Sequence, residues 1–553
     1  MIRKCVLSSS IALALAAGLA LPAVAADTPD VPAGPNPPRL VVTVVVDQLS
    51  SNLFNQYRRH FTGGFKRLMD EGMVYANGFQ THGVTETCPG HSTVLTGKHP
   101  ANTGISVNYS VDPATGEGRY CMASTVNTLA HGRVTDNGNV GTELLKADTL
   151  GDVLVRTSPA SRIFAVSGKD RGAMNLAGHA GQAFWFTDGF GLTTYVRPGE
   201  TAAQKLAAVA EFNKGYPAAE QGRRWHGTHA VCQALAEDVE VADGVYPSRV
   251  PPSRDSFSAS PLYDEETLRA ARYLLKSQGL GQGPAVDLLG VSLSGTDIIG
   301  HSFGTQGPEQ CEQMMRLDAA LGEFFDELDE VEGGVILALT ADHGGSDINE
   351  RTARRGFPHM GRVNLDIVAE TNAALRQQFG LDHDPLQRGA SGLRITDANK
   401  VSLPEPLRSQ IAAVAVEKLR QGKDLAFVEF IDTLLAEPLA DSLDPQSLTV
   451  RERMRLSAVK GVSADIMMAF RPGLATGGRI GGNLSSHGQP WDYDRGVPII
   501  FWAPKGRGQE RFMPVRTIDI APTLANVIGV GLPGVDGRCM SLDLAGARAC
   551  PAE

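Results

Sequence analysis

Residues 40–47 have the sequence LVVTVVVD, a continuous run of apolar and β-branched residues that ends abruptly at Asp47. Hydrophobicity that does not alternate predicts a strand buried on both faces, as in a mostly parallel sheet covered by helices. The aspartate at its end is predicted to lie at the edge of that sheet, where open α/β folds bind their ligands.

Three further runs of this kind lead to side chains that bind metals or anions. They are residues 163–166 before Lys169 and Arg171, residues 286–293 before Asp297, and residues 335–340 before Asp342 and His343. Strands without such a ligand are predicted at 465–470 and 498–502, and helices at 53–71, 202–212, 265–278, 309–329 and 517–527. The pattern predicts an α/β fold with a large, mostly parallel central sheet flanked by helices, whose polar strand ends converge on one crevice.

The N terminus predicts an exported protein. Arg3 and Lys4 precede an apolar run from residue 11 to about residue 21, and residues 23–25 offer a cleavage site, so residues 1–25 are a predicted signal peptide and the protein is periplasmic or secreted. No run is long enough for a stable membrane anchor. A linker is predicted at 26–38 and one large domain at 39–545. Insertions at about 190–262 and 360–462, with few buried strands, either cover the crevice or form separate domains.

The net charge and the cysteine count bear on two kinds of ligand, nucleic acid and a metal ion held by thiolates. Loss of the signal peptide removes two positive charges and no negative one, which takes the formal net charge from −10 to −12, so nucleic acid is not an expected partner. Six cysteines then remain, and an even number in an exported chain predicts disulfides over a thiolate metal site. Local spacing favours Cys88–Cys121 and Cys539–Cys550, which leaves Cys232–Cys311.

Three candidate metal ligands directly follow predicted strands. Asp47 ends the first run, although an aspartate there could instead cap the helix that follows. Asp342 and His343 end another run and are followed by two glycines, which permit the bend that would let both side chains face one cation.

Three more candidates complete the set. Asp297 and His301 are four residues apart, on one face of a helical turn, although this spacing also arises by chance. His487 follows a glycine-rich stretch and by itself is no better than an exposed loop histidine. Together, three aspartates and three histidines would make two sites of nitrogen and oxygen ligands, a set that suits zinc and, less well, manganese or iron.

Thr87 is the candidate nucleophile. It lies in TETCPGHST, residues 85–93, where Pro89 suits the first turn of a helix that runs to about Thr96 and ends at Gly97. Free N–H groups and the dipole at such a helix start favour a phosphate. Thr87 could instead be only an N-cap, and Cys88 is a second candidate nucleophile, although its context lacks the C-x-P-x-R order of sulfatases.

Lys169 and Arg171 are candidate phosphate ligands. A K-x-R pair is usually surface charge, but beside two divalent cations it would bind two phosphate oxygens, with Arg171 acting through its planar guanidinium and Lys169 as a point charge. Asn108 adds an uncharged donor. The remaining histidines of interest are expected to pack or hydrogen bond, not to act in catalysis: His91, His99, His226 and His229.

These residues resemble the alkaline phosphatase superfamily, in the branch with a threonine nucleophile that includes nucleotide pyrophosphatase/phosphodiesterases. Within it they are similar to the monoesterases of the Sphingomonas type. The motifs that carry the likeness run in order along nearly the whole mature chain: VVTVVVD at 41–47, TCPGH at 87–91, SGKDR at 167–171 and TIDIAPTL at 517–524.

The resemblance implies a role for each candidate residue. One zinc would be held by Asp297, His301 and His487, and a second by Asp47, Asp342 and His343, with Thr87 bridging to the second. Thr87 would become a phosphothreonine, while the phosphoryl oxygens are held by Asn108, Lys169, Arg171 and backbone N–H groups near Cys88. Diesterase relatives lack the lysine and arginine, so the resemblance implies hydrolysis of small phosphate monoesters over a broad range. It implies no third, magnesium site.

Three alternatives stay open at this point. The nearest is a phosphodiesterase or nucleotide pyrophosphatase that uses the same two-metal site. The others are a protein that holds phosphate without turnover and a phosphotransferase that passes the phosphoryl group to an acceptor alcohol. The sequence makes no prediction of the oligomeric state.

Overall fold

The structure is a computed structural model that describes residues 37–132, 134–135, 137–187, 191–216, 225–253, 256–544 and 547–551. The predicted signal peptide and most of the predicted linker lie outside the described residues. Within the described segments, none of the helices has both the length and the apolar character that a membrane crossing requires.

Ten strands form the central sheet. In chain order they are β1 (Leu40–Val46), β2 (Met73–Phe79), β3 (Ile163–Ser167), β4 (Gln182–Thr187), β5 (Gly191–Thr193), β6 (Asp287–Leu293), β7 (Val335–Thr340), β8 (Gly496–Trp502), β9 (Gln509–Arg511) and β10 (Val515–Arg516). Their order across the sheet is β9-β2-β8-β7-β1-β6-β3-β4-β5, with β10 also beside β2. Only β5 and β8 run against the others, so the sheet is mixed but mostly parallel. The predicted α/β fold is confirmed.

β1 lies at the centre of the sheet, in parallel register with β6 on one side and β7 on the other. All seven of its residues are buried. Val42 and Val44 belong to the apolar cluster on one face of the sheet, and Val41 and Val45 belong to the cluster on the opposite face. The continuous hydrophobicity of this run therefore follows from burial on both faces.

Two features of the sheet were not predicted. β2 has the sequence MVYANGF, in which the Asn77-Gly78 pair is typical of a turn, and its pairing with β8 is irregular between Tyr75 and Gly78. β8 contains the strand predicted at 498–502, but it runs antiparallel to β7. Hydrophobicity predicts that a strand is buried and does not predict its direction.

Helices cover both faces of the sheet. The principal ones are Thr87–Thr96, Leu150–Thr157, Asp170–Ala177, Leu262–Ser277, Gly295–Phe303, Pro308–Leu328 and Ile520–Ile528. The helix predicted at 53–71 is broken into Ser51–Tyr57, a 3-10 turn at Arg58–His60, and Gly64–Glu71. The break occurs because Asp318 accepts hydrogen bonds from three N–H groups within residues 62–65, and a Cβ at Gly63 would lie 2.2 Å from the Asp318 carbonyl oxygen.

A second, smaller sheet forms within residues 366–470. Its antiparallel strands are Leu386–Gly389, Gly392–Ile395, Leu425–Phe430 and Ile466–Phe470, and with helices Asp366–Phe379 and Leu407–Leu419 they share a separate apolar cluster. Residues 360–462 contribute three partly buried strands to this sheet, and the strand predicted at 465–470 is the fourth. Ser457 of the same segment accepts hydrogen bonds from the N–H groups of Gly83 and Val84, just before the Thr87 helix. That this unit is an insertion covering the crevice stays a prediction.

The three predicted disulfides, Cys88–Cys121, Cys232–Cys311 and Cys539–Cys550, are all present. The second of them ties the segment that contains Cys232 to helix Pro308–Leu328. Next to Cys311, the buried carboxylate of Glu312 accepts hydrogen bonds from the N–H groups of Thr228 and His229. His229 therefore serves the packing of this segment, as predicted.

Candidate active site

Six side chains, all of them predicted ligands, gather beyond the carboxyl ends of three neighbouring strands. They are Asp47 after β1, Asp297 and His301 in the helix after β6, Asp342 and His343 after β7, and His487 in the loop before β8. Because β1, β6 and β7 are parallel neighbours, their carboxyl ends meet at one edge of the sheet. The predicted convergence of these residues is confirmed.

Asp297, His301 and His487 form the first ligand group. The Oδ1 atom of Asp297 lies 3.3 Å from His301 Nε2 and 3.4 Å from His487 Nε2, and the two Nε2 atoms are 3.1 Å apart. One oxygen and two nitrogens at this spacing are able to hold a single metal ion.

Asp47, Asp342 and His343 are the second predicted ligand group, and Asp297 also lies close enough to Asp47 and His343 to share an ion with them. His343 Nε2 lies 3.4 Å from Asp47 Oδ1 and 3.5 Å from Asp342 Oδ2. All three atoms are buried and make no hydrogen bond within the residues that the structure describes, and the polar atom beside Asp342 Oδ2 from outside the group is His91 Nδ1, at 3.1 Å. Because unpartnered buried polar atoms are costly, this arrangement fits a cation bound by all three. The His343 and His487 rings stack with centroids 3.7 Å apart, so the two groups adjoin.

The hydrogen bonds of the Nδ1 atoms show which ring nitrogen of each histidine is able to bind a metal ion. Each hydrogen bonds to a backbone carbonyl: His301 to Ser485 at 2.9 Å, His343 to Gly344 at 2.8 Å and His487 to Thr85 at 2.7 Å. A carbonyl oxygen only accepts, so in the neutral form of each ring Nδ1 carries the proton and Nε2 keeps its lone pair toward the ligand group. Histidine metal ligands are typically oriented in this way.

The electrostatics of the site favour added positive charge. Burial, reinforced by the charges of Asp297 and Asp342, raises the pKa of Asp47 to about 6. Burial opposes protonation of His487, but the hydrogen bond and charge of Asp297 outweigh it and raise the pKa of His487 to about 9. Burial and the adjacent His487 lower the pKa of His343 to about 3, which keeps His343 in the neutral form that binds metals. Divalent cations would supply the charge that the crowded carboxylates attract.

Two helix-capping alternatives are excluded by the structure. The side chain of Ser50, not that of Asp47, caps the helix after β1. The N-cap of helix Thr87–Thr96 is Glu86, so Thr87 is the first residue of that helix and does not cap it. Cys88 is bonded in a disulfide, which removes it as a nucleophile.

The backbone around Thr87 is tied to both ligand groups. Two residues before it, the Thr85 carbonyl holds His487 of the first group. One helical turn after it, His91 Nδ1 lies 3.0 Å from the Thr87 carbonyl oxygen and 3.1 Å from Asp342 Oδ2 of the second group. The start of this helix is therefore fixed beside both groups.

Asn108 is held by contacts that, in the described part of the chain, leave its side-chain NH2 without an acceptor. Its Oδ1 accepts from the Cys88 N–H at 2.7 Å, its own N–H donates to Glu86 Oε2 at 2.6 Å, and its carbonyl accepts from the Cys121 N–H at 2.9 Å. The side-chain NH2 is left to bind an anion at the helix start. The N–H of Cys88 itself donates to Asn108, and the prediction that backbone N–H groups near Cys88 hold phosphoryl oxygens stays a prediction.

Lys169 connects the two ligand groups. Its Nζ lies 2.6 Å from Asp47 Oδ2 and 2.6 Å from Asp297 Oδ2, and its side chain is 12% exposed. A lysine in this position is part of the crevice and is not surface charge. It supplies one positive charge to a cluster of three buried carboxylates.

Arg171 lies beside Lys169 at the start of helix Asp170–Ala177. Its Nη1 is 3.5 Å from the Tyr120 hydroxyl, which in turn donates to the Asp170 carboxylate, and its Nε is buried without a partner in the described part of the chain. A cleft of about 690 Å³ runs along Lys169 and Arg171 and leaves room for the organic part of a substrate.

Three supporting residues were not predicted from the sequence. Gln48 donates to two ligand carboxylates, Glu86 holds Asn108, and Tyr120 contacts Arg171. Only Gln48 had a signal in the sequence, since it directly follows a predicted ligand. Glu86 and Tyr120 acquire their roles from contacts that form only in the folded chain.

Comparisons with known proteins place these residues in a family context. Residues 41–476 match the family model described as type I phosphodiesterase / nucleotide pyrophosphatase. The chain is 34% identical over 525 residues to alkaline phosphatase PhoK of Sphingomonas sp, covering 92% of this chain and 91% of PhoK. It is also 34% identical over 524 residues to alkaline phosphatase PhoD of Zymomonas mobilis, covering 93% and 89%. Crystalline wild-type alkaline phosphatase PafA, a protein of Elizabethkingia meningoseptica, shares the fold with a TM-score of 0.75 at 22% identity, covering 92% of this chain and 99% of PafA.

Proposed function

This chain belongs to the type I phosphodiesterase / nucleotide pyrophosphatase family of the alkaline phosphatase superfamily, and we propose that it is an alkaline phosphatase that hydrolyses phosphate monoesters through a phosphothreonine at Thr87. Relatives named alkaline phosphatase that align over most of the chain support monoester hydrolysis. The observation that carries the proposal is the meeting of six ligand side chains in two adjoining groups, with Lys169 between them and the Thr87 helix beside them.

Zinc suits the two ligand groups, because each offers only imidazole nitrogens and carboxylate oxygens. In this proposal one zinc is held by Asp297, His301 and His487, and the other by Asp47, Asp342, His343 and Thr87. When bound, the ions supply Lewis-acid activation of a hydroxyl or water and offset the charge of the phosphoryl group.

The residues of the chain then define the transfer. The Thr87 hydroxyl loses its proton and attacks phosphorus, the bond from phosphorus to the ester oxygen breaks, and the departing alcohol takes up a proton. Asn108, Lys169 and Arg171 donate hydrogen bonds to the phosphoryl oxygens, where negative charge is spread. Water then attacks the phosphothreonine, which releases inorganic phosphate and restores the hydroxyl.

Lys169 and Arg171 favour monoesters over diesters, because a monoester dianion has one more charged oxygen than a diester. The second candidate is a phosphodiesterase or nucleotide pyrophosphatase at the same site, which the family description favours. Rates of phenol release from phenyl phosphate and from methyl phenyl phosphate distinguish the two. We expect the monoester to react faster, and a preference for the diester would reject the proposal.

Export to the periplasm or the medium is part of the proposed function. It rests on the predicted signal peptide at residues 1–25 and is supported by the three disulfides, which are typical of an oxidising compartment. There the enzyme would act on small phosphate monoesters.

Removal of metal is expected to abolish activity and to destabilise the fold. The buried carboxylates would lose their counter-charge. Each zinc site contributes about 4 kcal/mol to the free energy of unfolding when the free zinc concentration is 1,000 times the Kd of that site. Metal content, phosphate release and thermal unfolding are measured after dialysis against a chelator and after return of zinc or magnesium. Zinc should restore both properties and magnesium should not, since magnesium prefers six oxygen ligands. Full activity in protein shown to be metal-free would reject the two-metal site.

Loss of the Cys88–Cys121 disulfide is expected to lower kcat/KM for monoesters by roughly 10- to 100-fold. The disulfide joins the two residues whose N–H groups hold Asn108, so its removal lets that side chain move. The variant is Cys88→Ala with Cys121→Ala. Removing Cys539–Cys550 in the same way is the matched control and should leave kcat/KM near that of the unaltered protein. An equal loss in both variants would assign the effect to general stability.

A further inference from the structure

Gln48 contacts one carboxylate from each ligand group. Its main-chain N–H donates to Asp342 Oδ1 at 3.1 Å, and its side-chain Nε2 donates to Asp297 Oδ1 at 3.0 Å. Asp342 belongs to the group with Asp47 and His343. Asp297 belongs to the group with His301 and His487. Gln48 therefore links the two groups, through its backbone N–H on one side and its side-chain amide on the other.

The backbone of Gln48 has a conformation that glutamine rarely adopts. Its φ is 68°, in the left-handed region. Of the four non-glycine residues with positive φ in the described segments, Gln48 is the one that is buried, with 1% exposure. Such strain persists only where the surroundings impose it, and it is concentrated at functional sites.

Two glycines leave room for the Gln48 side chain. A Cβ at Gly300 would lie 1.9 Å from Gln48 Oε1, and a Cβ at Gly345 would lie 2.9 Å from its Cδ. Gly300 is inside helix Gly295–Phe303, one residue before His301, where glycine weakens a helix relative to alanine. The helix that carries two proposed zinc ligands thus has a glycine where the amide of Gln48 passes.

We infer that Gln48 is a positioning residue that fixes Asp297 relative to Asp342 and so sets the relative positions of the two metal ions. The inference rests on the proposed metal ligands. The side chain of Gln48 bonds to Asp297 and its backbone N–H bonds to Asp342, so a side-chain substitution removes only the contact to Asp297. Loss of an outer partner of a metal ligand typically lowers metal affinity 10- to 100-fold. The affinity for the zinc held by Asp297, His301 and His487 should fall, and the affinity for the other zinc should not.

The test is zinc binding by the full-length, metal-free protein in chelator-buffered zinc, with bound metal measured by mass spectrometry. Gln48→Met keeps the length of the side chain and removes the donor. We expect one of the two zinc affinities to fall roughly 10- to 100-fold and the other to change less than about threefold. Gly300→Ala, whose added Cβ would lie 1.9 Å from Gln48 Oε1 and displace the same amide, should weaken binding of the same zinc.

Gln310→Met is the matched control. Gln310 is a fully buried amide that donates to the Thr296 carbonyl at 3.3 Å and hydrogen bonds to no ligand carboxylate within the described segments, so both affinities should stay near those of the unaltered protein. Unchanged affinities in the Gln48 variant, or equal weakening of both sites, would overturn the inference. Failure of the unaltered protein to bind two zinc ions would instead reject the metal sites themselves, so the two failures are distinguishable.

Discussion

Thr87→Ala is expected to lower monoester turnover by on the order of 10³-fold or more, while zinc content stays near that of the unaltered protein. The substitution removes the proposed attacking oxygen but leaves the helix start, whose N-cap is Glu86. Cys88 offers no substitute nucleophile, because its sulfur is bonded to Cys121. The measurements are kcat on phenyl phosphate and zinc per chain.

Two controls separate the chemistry of Thr87 from its structural contribution. Thr87→Ser keeps a hydroxyl at the same position and should retain far more activity than the alanine variant. Acid quenching of the unaltered enzyme during turnover should trap phosphate on Thr87, which peptide mass spectrometry detects. An alanine variant that keeps its rate would show that another group attacks phosphorus.

Five of the six ligand residues were predictable because they follow predicted strands, whereas His487 and the division into two groups were implied only by the family resemblance. Asp47, Asp297 and Asp342 all follow continuous apolar runs, and such runs become parallel strands whose ends meet at one sheet edge. β1 shows why, since alternate valines fill the apolar clusters on opposite faces of the sheet. Continuous hydrophobicity therefore predicted both the fold and the sheet edge at which these side chains meet.

What the sequence did not predict depends on contacts between distant segments. The strain at Gln48 and the bond from Glu86 to Asn108 exist only when separate parts of the chain are packed together. The Cys88 N–H is taken by a side chain 20 residues away, which no local pattern indicates. The small sheet within 366–470 was missed because its strands are short and its segment is dominated by helices and polar loops.

Replacing Lys169 and Arg171 together by alanine is expected to lower kcat/KM for monoesters by roughly 10³- to 10⁵-fold and for diesters by less than about tenfold. Both side chains line the crevice, and both carry a positive charge that a monoester dianion needs more than a diester does. The comparison uses phenyl phosphate and methyl phenyl phosphate on the same enzyme preparation. The diester is the internal control, since general damage to the site slows both reactions.

Zinc content decides whether the loss comes from the substrate contacts or from the metals. The Lys169 ammonium lies 2.6 Å from carboxylate oxygens of Asp47 and Asp297, so it competes with divalent cations for the same negative charge. Its removal should therefore leave zinc binding unchanged or tighter, and a fall in monoester kcat/KM at full zinc occupancy would arise from the phosphoryl oxygens. Equal losses on both substrates would show that the lysine and the arginine do not set the preference for monoesters.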